Sequence, residues 1–96
     1  MSKTITVIIP AYNEEESLPN IIQRLENLAK TVKKYNFEFL FVNDGSRDKT
    51  LEILQDYADK DPRISYINLS RNFGKEIGVA AGLDYAQGDA VVIMDA

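Results

Sequence analysis

Four short apolar runs recur along the chain, and between them lie three stretches whose apolar residues repeat at helical spacing. That alternation leaves few folds open. Ile5-Thr6-Val7-Ile8-Ile9 is β-branched and nearly all apolar, which suits a strand buried on both faces. Phe37 to Val42, Ile64 to Leu69 and Ala90 to Met94 read the same way, the run from Ile64 a little more polar. Leu18, Ile21, Ile22, Leu25, Leu28, Ala29 and Val32 form one stripe at spacings of three and four, so a first helix packs there. Ser17 is its expected N-cap and Pro19 falls in its first turn, where proline is tolerated. Pro10 has no N–H and is expected to end the strand before it, while Tyr35-Asn36 closes the helix. A second helix is expected from about Lys49 to Asp59, burying Leu51, Leu54, Tyr57 and Ala58 and stopping at Lys60-Asp61-Pro62. The third, Lys75 to Ala86, carries Gly78, Ala80, Ala81 and Gly82. Each glycine costs about 1 kcal/mol of helix stability, so a close approach to the sheet is the expected reason for them. Gly88 suits a left-handed cap in the exit turn.

The order is β-α-β-α-β-α-β, which predicts an α/β domain: a mostly parallel sheet covered by helices on both faces, in three layers, with right-handed crossovers. Residues 1–96 make one domain at most. The absence of cysteine and histidine excludes disulfides and thiolate or imidazole metal sites, so a metal here is held by oxygens, as suits magnesium or manganese. A net charge of -4 with no basic run argues against nucleic acid as a partner. Met1-Ser2-Lys3-Thr4 has no signal-peptide pattern, and no apolar run approaches the roughly 20 residues of a membrane helix. The chain is therefore expected in the cytoplasm. It ends at Ala96, just after a strand-like run, and the expectation is the first part of a longer protein.

In a parallel sheet all carboxyl ends of strands share one edge, where ligands bind in open α/β folds. The polar residues gather there. Tyr12 and Glu14 follow the first strand, Asp44 the second, Arg71, Asn72 and Lys75 the third, and Asp95 the fourth. Carboxylates can accept from a base or ribose, Tyr12 offers an aromatic face, and Arg71 and Lys75 can meet phosphate. Neither the G-x-G-x-x-G fingerprint nor a Walker A sequence is present, so phosphates must be held in another way, and a divalent metal on a carboxylate would suit. Gly45 lets the chain turn after Asp44, and Ser46 or Asp48 can cap the helix that follows. Each residue also has an ordinary reading: Asp44 in a capped turn, Glu14 favouring a helix terminus, Arg71 and Lys75 as surface solvation, Tyr12 as packing.

Val7 to Glu15, then Val42 to Thr50, resemble the family 2 glycosyltransferases with the GT-A fold. Leu69 to Glu76, with Ala80 to Ala86 and Gly88 to Ala96, resembles the polyprenyl-phosphate branch, which includes dolichol-phosphate mannose synthases and bactoprenol glucosyltransferases. The resemblance implies the Rossmann-like, nucleotide-binding half of a GT-A domain. It places Pro10, Tyr12 and Glu14 around base and ribose, Val42 and Asp44 at a base-contacting turn, and Asp95 and Ala96 at the start of a D-x-D motif that engages ribose, diphosphate and metal. Arg71 and Lys75 fall in the branch-specific loop, as possible phosphate contacts. The second aspartate of D-x-D, which in that family carries most of the metal binding, would be the next residue after Ala96, so Asp95 is only a partial ligand and no catalytic residue is expected within the chain. The implied reaction is transfer of a sugar from a UDP- or GDP-linked donor to a polyprenyl phosphate, with Mg2+ or Mn2+, at the cytoplasmic face of a membrane. The chain alone is expected to be inactive and prone to self-association through an uncovered sheet edge. A non-catalytic nucleotide-binding or interaction module is the alternative.

Overall fold

The computed structural model describes residues 3–95. The elements are β1 (Lys3–Ala11), α1 (Leu18–Thr31), β2 (Tyr35–Asp44), α2 (Thr50–Lys60), β3 (Ile64–Leu69), α3 (Lys75–Tyr85) and β4 (Ala90–Ile93). All pairings are parallel, and the strand order is β3-β2-β1-β4. The chain steps from β1 to β2 to β3 in one direction, then crosses back through α3 to put β4 on the far side of β1. With a constant right-handed crossover, that reversal sends α3 to the opposite face from α1 and α2. The packing follows suit. Val7, Ile9, Phe37, Phe39 and Phe41 form one core with Leu18, Ile21, Ile22 and Leu25 of α1 and Leu54 of α2. On the other face Ile8 and Val42 lie under α3. The three-layer α/β/α arrangement expected from the alternation is the one observed, with every strand parallel.

Of the small residues of α3, Gly82 has the predicted cause, whereas a Cβ on Gly78 would meet Val42 Cγ1 at an ordinary 3.6 Å. A Cβ on Gly82 would lie 2.7 Å from Ile8 Cγ2 and 3.3 Å from Val42 Cγ2, so the helix backbone rests directly on the sheet. α3 buries little else, and Ile77, Leu83 and Tyr85 are exposed.

Four local expectations are corrected. Pro10 does not end β1, which continues to Ala11. Ile8 O accepts from Met94 N–H at 2.9 Å, so the backbone of Ile8 faces β4. Pro10, two residues on, faces the same side, beyond the last β1–β4 pair, and its missing N–H leaves no ladder bond unmade. Tyr35-Asn36 does not close α1 but opens β2, in register with Lys3 and Thr4. Ser17 holds the N-cap position of α1 without a capping bond, its hydroxyl donating instead to Glu14 Oε1 at 2.8 Å. Gly88 is not left-handed. It is needed for proximity, since a Cβ there would lie 2.6 Å from Thr6 Oγ1 and 2.8 Å from Thr4 O.

Candidate functional site

The strand order reverses between β1 and β4, and a crevice at such a switch point, outside the carboxyl ends of the strands, is where open α/β sheets bind ligands. An open cleft of about 410 Å³ lies there. Pro10, Tyr12, Glu14, Asp44, Lys75 and Asp95 line it, so six of the expected residues converge from four separate chain segments. Ala11, Asn72 and Gly74 complete the wall.

The cleft exists because two loops are stitched together. Gly45 has φ +69°, and a Cβ on it would lie 2.2 Å from Arg71 C and 2.3 Å from Asn72 N. Only glycine lets the turn after β2 adopt this conformation and touch the backbone of the loop after β3. Asp44 then closes the contact. The residue is almost fully buried, with a relative exposure of 3%. Oδ1 accepts from Phe73 N–H at 2.8 Å, and Oδ2 accepts from Gly74 N–H at 3.0 Å and from Asn72 Nδ2 at 3.3 Å. Gly74 is the N-cap of α3, with φ +99°. The carboxylate thus sits under the positive end of a helix, with backbone donors on both oxygens, and these offset its burial.

The loop after β1 is fixed in the same way. Asn13 adopts φ +52°, a conformation asparagine tolerates better than most residues. Its N–H donates to Ser46 Oγ at 2.9 Å, and its Oδ1 accepts from Arg47 N–H at 2.8 Å. Glu14 N–H donates to Thr50 Oγ1 at 2.9 Å and Glu15 N–H to Asp48 Oδ2 at 3.2 Å. Neither candidate cap holds the N-cap position of α2, which falls on Lys49 without a side-chain bond; Asp48, one residue earlier, accepts from Thr50 N–H at 2.9 Å, while Ser46 serves Asn13. Burial raises the Asp48 carboxyl, but the Thr50 hydroxyl and the N–H groups of Thr50 and Glu15 outweigh it and hold its pKa below the usual value.

At the other wall Lys75, the first residue of α3, forms an ion pair with Asp95 just past β4. Both side chains are largely exposed, at 58% and 71%. Asp95 is an oxygen ligand of the kind a hard divalent cation takes, and such an ion needs only one or two carboxylates when phosphates supply the rest of its shell. The Lys75 ammonium already stands where a cation would be received, so the residues fit such an ion. Among the described residues, no three or more acidic side chains gather into a ready-made metal site, so Asp95 offers a single carboxylate ligand.

Three expected residues stand apart from this cleft. Val42 is fully buried under α3 and does not reach it with its side chain. Arg71 lines a neighbouring polar cleft of about 370 Å³, shared with Tyr12, Asn43 and Asn68, and its guanidinium stacks 4.6 Å from the Phe73 ring centre. Ala96 lies outside the described residues. Sequence reading missed Asn72 as a partner of Asp44, and Thr50, Asp48 and Ser46 as the supports of the Tyr12–Glu15 loop. Their signal was faint: small polar side chains in loops and at a helix start, with partners about thirty residues away in the chain.

The profile described as Glycosyl transferase family 2 matches residues 6–96. "Uncharacterized glycosyltransferase YkcC" of Bacillus subtilis (strain 168) is 47% identical over 91 residues, which cover 95% of this chain and 28% of that protein. The bactoprenol glucosyl transferase of Shigella phage SfV is 41% identical over 91 residues, or 95% of this chain and 29% of that protein. The chain thus spans less than a third of the length of these relatives. Among solved structures, the mannosyltransferase PcManGT from Pyrobaculum calidifontis, in complex with GDP-Man and Mn2+, superposes with a TM-score of 0.76 at 28% identity, over 99% of this chain and 28% of that one. S. aureus TarS 1-349 in complex with UDP-GlcNAc gives 0.73 at 32% identity, over 99% of this chain and 26% of that one.

Proposed function

This chain belongs to glycosyl transferase family 2, and we propose that it supplies the nucleotide-binding half of an enzyme that transfers a sugar from a UDP- or GDP-linked donor to a polyprenyl phosphate. The observation that carries the reading is the convergence of Pro10, Tyr12, Glu14, Asp44, Lys75 and Asp95 on one cleft at the switch point. Tyr12 is exposed and gives a base a face to stack on, and Pro10 forms the floor. Glu14 accepts from ribose hydroxyls. Asp44 has backbone donors on both oxygens, so its part is to hold the loop against which the nucleotide rests. Lys75 meets the diphosphate, and Arg71 flanks it from the adjoining cleft.

Asp95 would hold a divalent cation, whose chemistry when bound is to offset charge on the departing nucleotide diphosphate. Mn2+ accompanies the nucleotide sugar in PcManGT, which supports a divalent ion here. In the whole enzyme an oxygen of the lipid phosphate attacks the anomeric carbon. The bond from that carbon to the diphosphate breaks, and the nucleotide leaves with the electron pair. The acceptor class rests on likeness to the bactoprenol glucosyl transferases, and with a lipid acceptor the proposed place of reaction is the cytoplasmic face of a membrane. No helix among the described residues is long and apolar enough to cross one.

Calorimetric titration with UDP and GDP, each with and without Mn2+, tests the reading. Weak binding that Tyr12→Ala abolishes is expected, and the preferred base names the donor class. No binding of either nucleotide would overturn the claim that this half forms the base pocket. Sugar transfer by this chain alone would overturn the claim that it is only half of the active site.

A further inference from the structure

Lys75 is an unusual first residue for a helix. A cation at a helix N-terminus faces the positive end of the dipole and is disfavoured there. Its position is not explained by packing either, because the side chain is 58% exposed. What it does touch is Asp95, across the mouth of the cleft, and that contact joins the start of α3 to the end of β4. An exposed pair of this kind adds little to stability. It does change what the cleft offers a ligand. With Lys75 in place, Asp95 is neutralised, and a doubly charged cation arriving alone meets an ammonium beside its only carboxylate ligand on that wall.

We propose that Lys75 is a stand-in cation, neutralising Asp95 in the empty cleft and exchanging Asp95 for diphosphate oxygens when a nucleotide binds. The inference rests on the nucleotide-binding reading above and adds an order to it: the carboxylate becomes available to a divalent cation only once an anion has drawn the lysine away. Lys75 therefore opposes binding of the bare cation and favours binding of the nucleotide, so neutralising it shifts the two affinities in opposite directions. Removing one positive charge beside a partly screened divalent site should tighten it by about three- to tenfold. Losing a charge-assisted contact to diphosphate should weaken UDP or GDP by about the same factor.

The test is Mn2+ alone, followed by the electron paramagnetic resonance signal of the free ion, with wild type, Lys75→Met, Lys75→Arg and the double variant Lys75→Met/Asp95→Asn. Lys75→Met should bind Mn2+ more tightly than wild type. Lys75→Arg should behave as wild type, and the added Asp95→Asn should remove the gain. Equal or weaker Mn2+ binding by Lys75→Met, including no binding by any variant, overturns the proposal. A parallel titration with UDP and GDP keeps the two readings apart: failure of wild type to bind either nucleotide counts against the proposed function, whereas unchanged Mn2+ affinity in Lys75→Met counts against the stand-in role.

Discussion

Replacing Asp44 by alanine should destabilise the chain severely, and the size of the effect can be worked from its contacts. The carboxylate accepts from Phe73 N–H at 2.8 Å, Gly74 N–H at 3.0 Å and Asn72 Nδ2 at 3.3 Å. Hydrogen bonds to a charged group contribute about 1.5–3 kcal/mol each, and a carboxylate at a helix N-terminus adds about 0.3–1 kcal/mol. Water entering the open cleft recovers part of the loss at the two backbone donors, and the Asn72 contact is long and only part-buried. The net cost of Asp44→Ala is then about 2–4 kcal/mol. A domain of this size has a stability of roughly 5–14 kcal/mol, so that is a large share of it. Each 1 kcal/mol lowers Tm by about 4–8 °C at this length, which predicts a fall of about 10–30 °C. Asp44→Asn keeps one acceptor oxygen and should cost about half as much. Thermal and urea unfolding followed by circular dichroism measure both. If Asp44→Ala unfolds within about 0.5 kcal/mol of wild type, the carboxylate does not hold the loop after β3, and its burial must be explained through a ligand instead.

Two further outcomes follow from the same geometry. Asp48 and Asp61 both have folded pKa values below the usual 3.8, Asp48 because hydrogen bonds from Thr50 and Glu15 outweigh its burial and Asp61 chiefly through its bonds to Arg63. The unfolded chain therefore takes up protons first, so Tm should hold from neutral pH down towards that value and then fall as pH drops through the folded values. Asp48→Asn/Asp61→Asn should flatten the fall, and an unaltered acid limb would remove these two groups as its cause. Val91, Val92 and Ile93 are exposed on β4, which among the described residues is an edge strand paired with β1 alone. Sedimentation velocity should therefore show concentration-dependent association that Val92→Lys reduces, and association that persists unchanged in that variant would place the contact elsewhere.

The element order was legible because its signals are local and repeated. The stripe from Leu18 to Leu25 and the β-branched run in β1 each state their period within a few residues. Element ends were less legible, because a neighbour decides them. Nothing around Pro10 says that β4 has already stopped beside it, and nothing around Tyr35 says that it finds Lys3 as a partner. The parity of a strand buried on both faces is hidden for the same reason. Val42 and Asp44 share a side of the sheet, yet one lies under α3 and the other reaches past its end. The glycines divide in the same way. Gly82 announces a close approach by its place in the helix, but whether Gly88 serves for a left-handed φ or for proximity to Thr6 depends on a strand some eighty residues earlier.

The two aspartates of the cleft have opposite fates, and the difference decides how the site can work. Asp44 is buried and has protein donors on both oxygens at fixed distances, so a ligand meets it as a rigid acceptor with a lone pair still open on Oδ1. Asp95 is exposed, and its partner is a flexible side chain that can leave without disturbing an element. The wall formed by β1 and β2 is therefore preorganised, and the wall at β4 is exchangeable. A base and ribose bind best to the first kind of surface, because little entropy is lost in ordering it. A diphosphate with its cation suits the second, since its charge must be matched as it arrives and released as it departs. An Asp44 variant should thus change stability and nucleotide binding together, whereas a Lys75 or Asp95 variant should change binding while leaving the unfolding curve where it is.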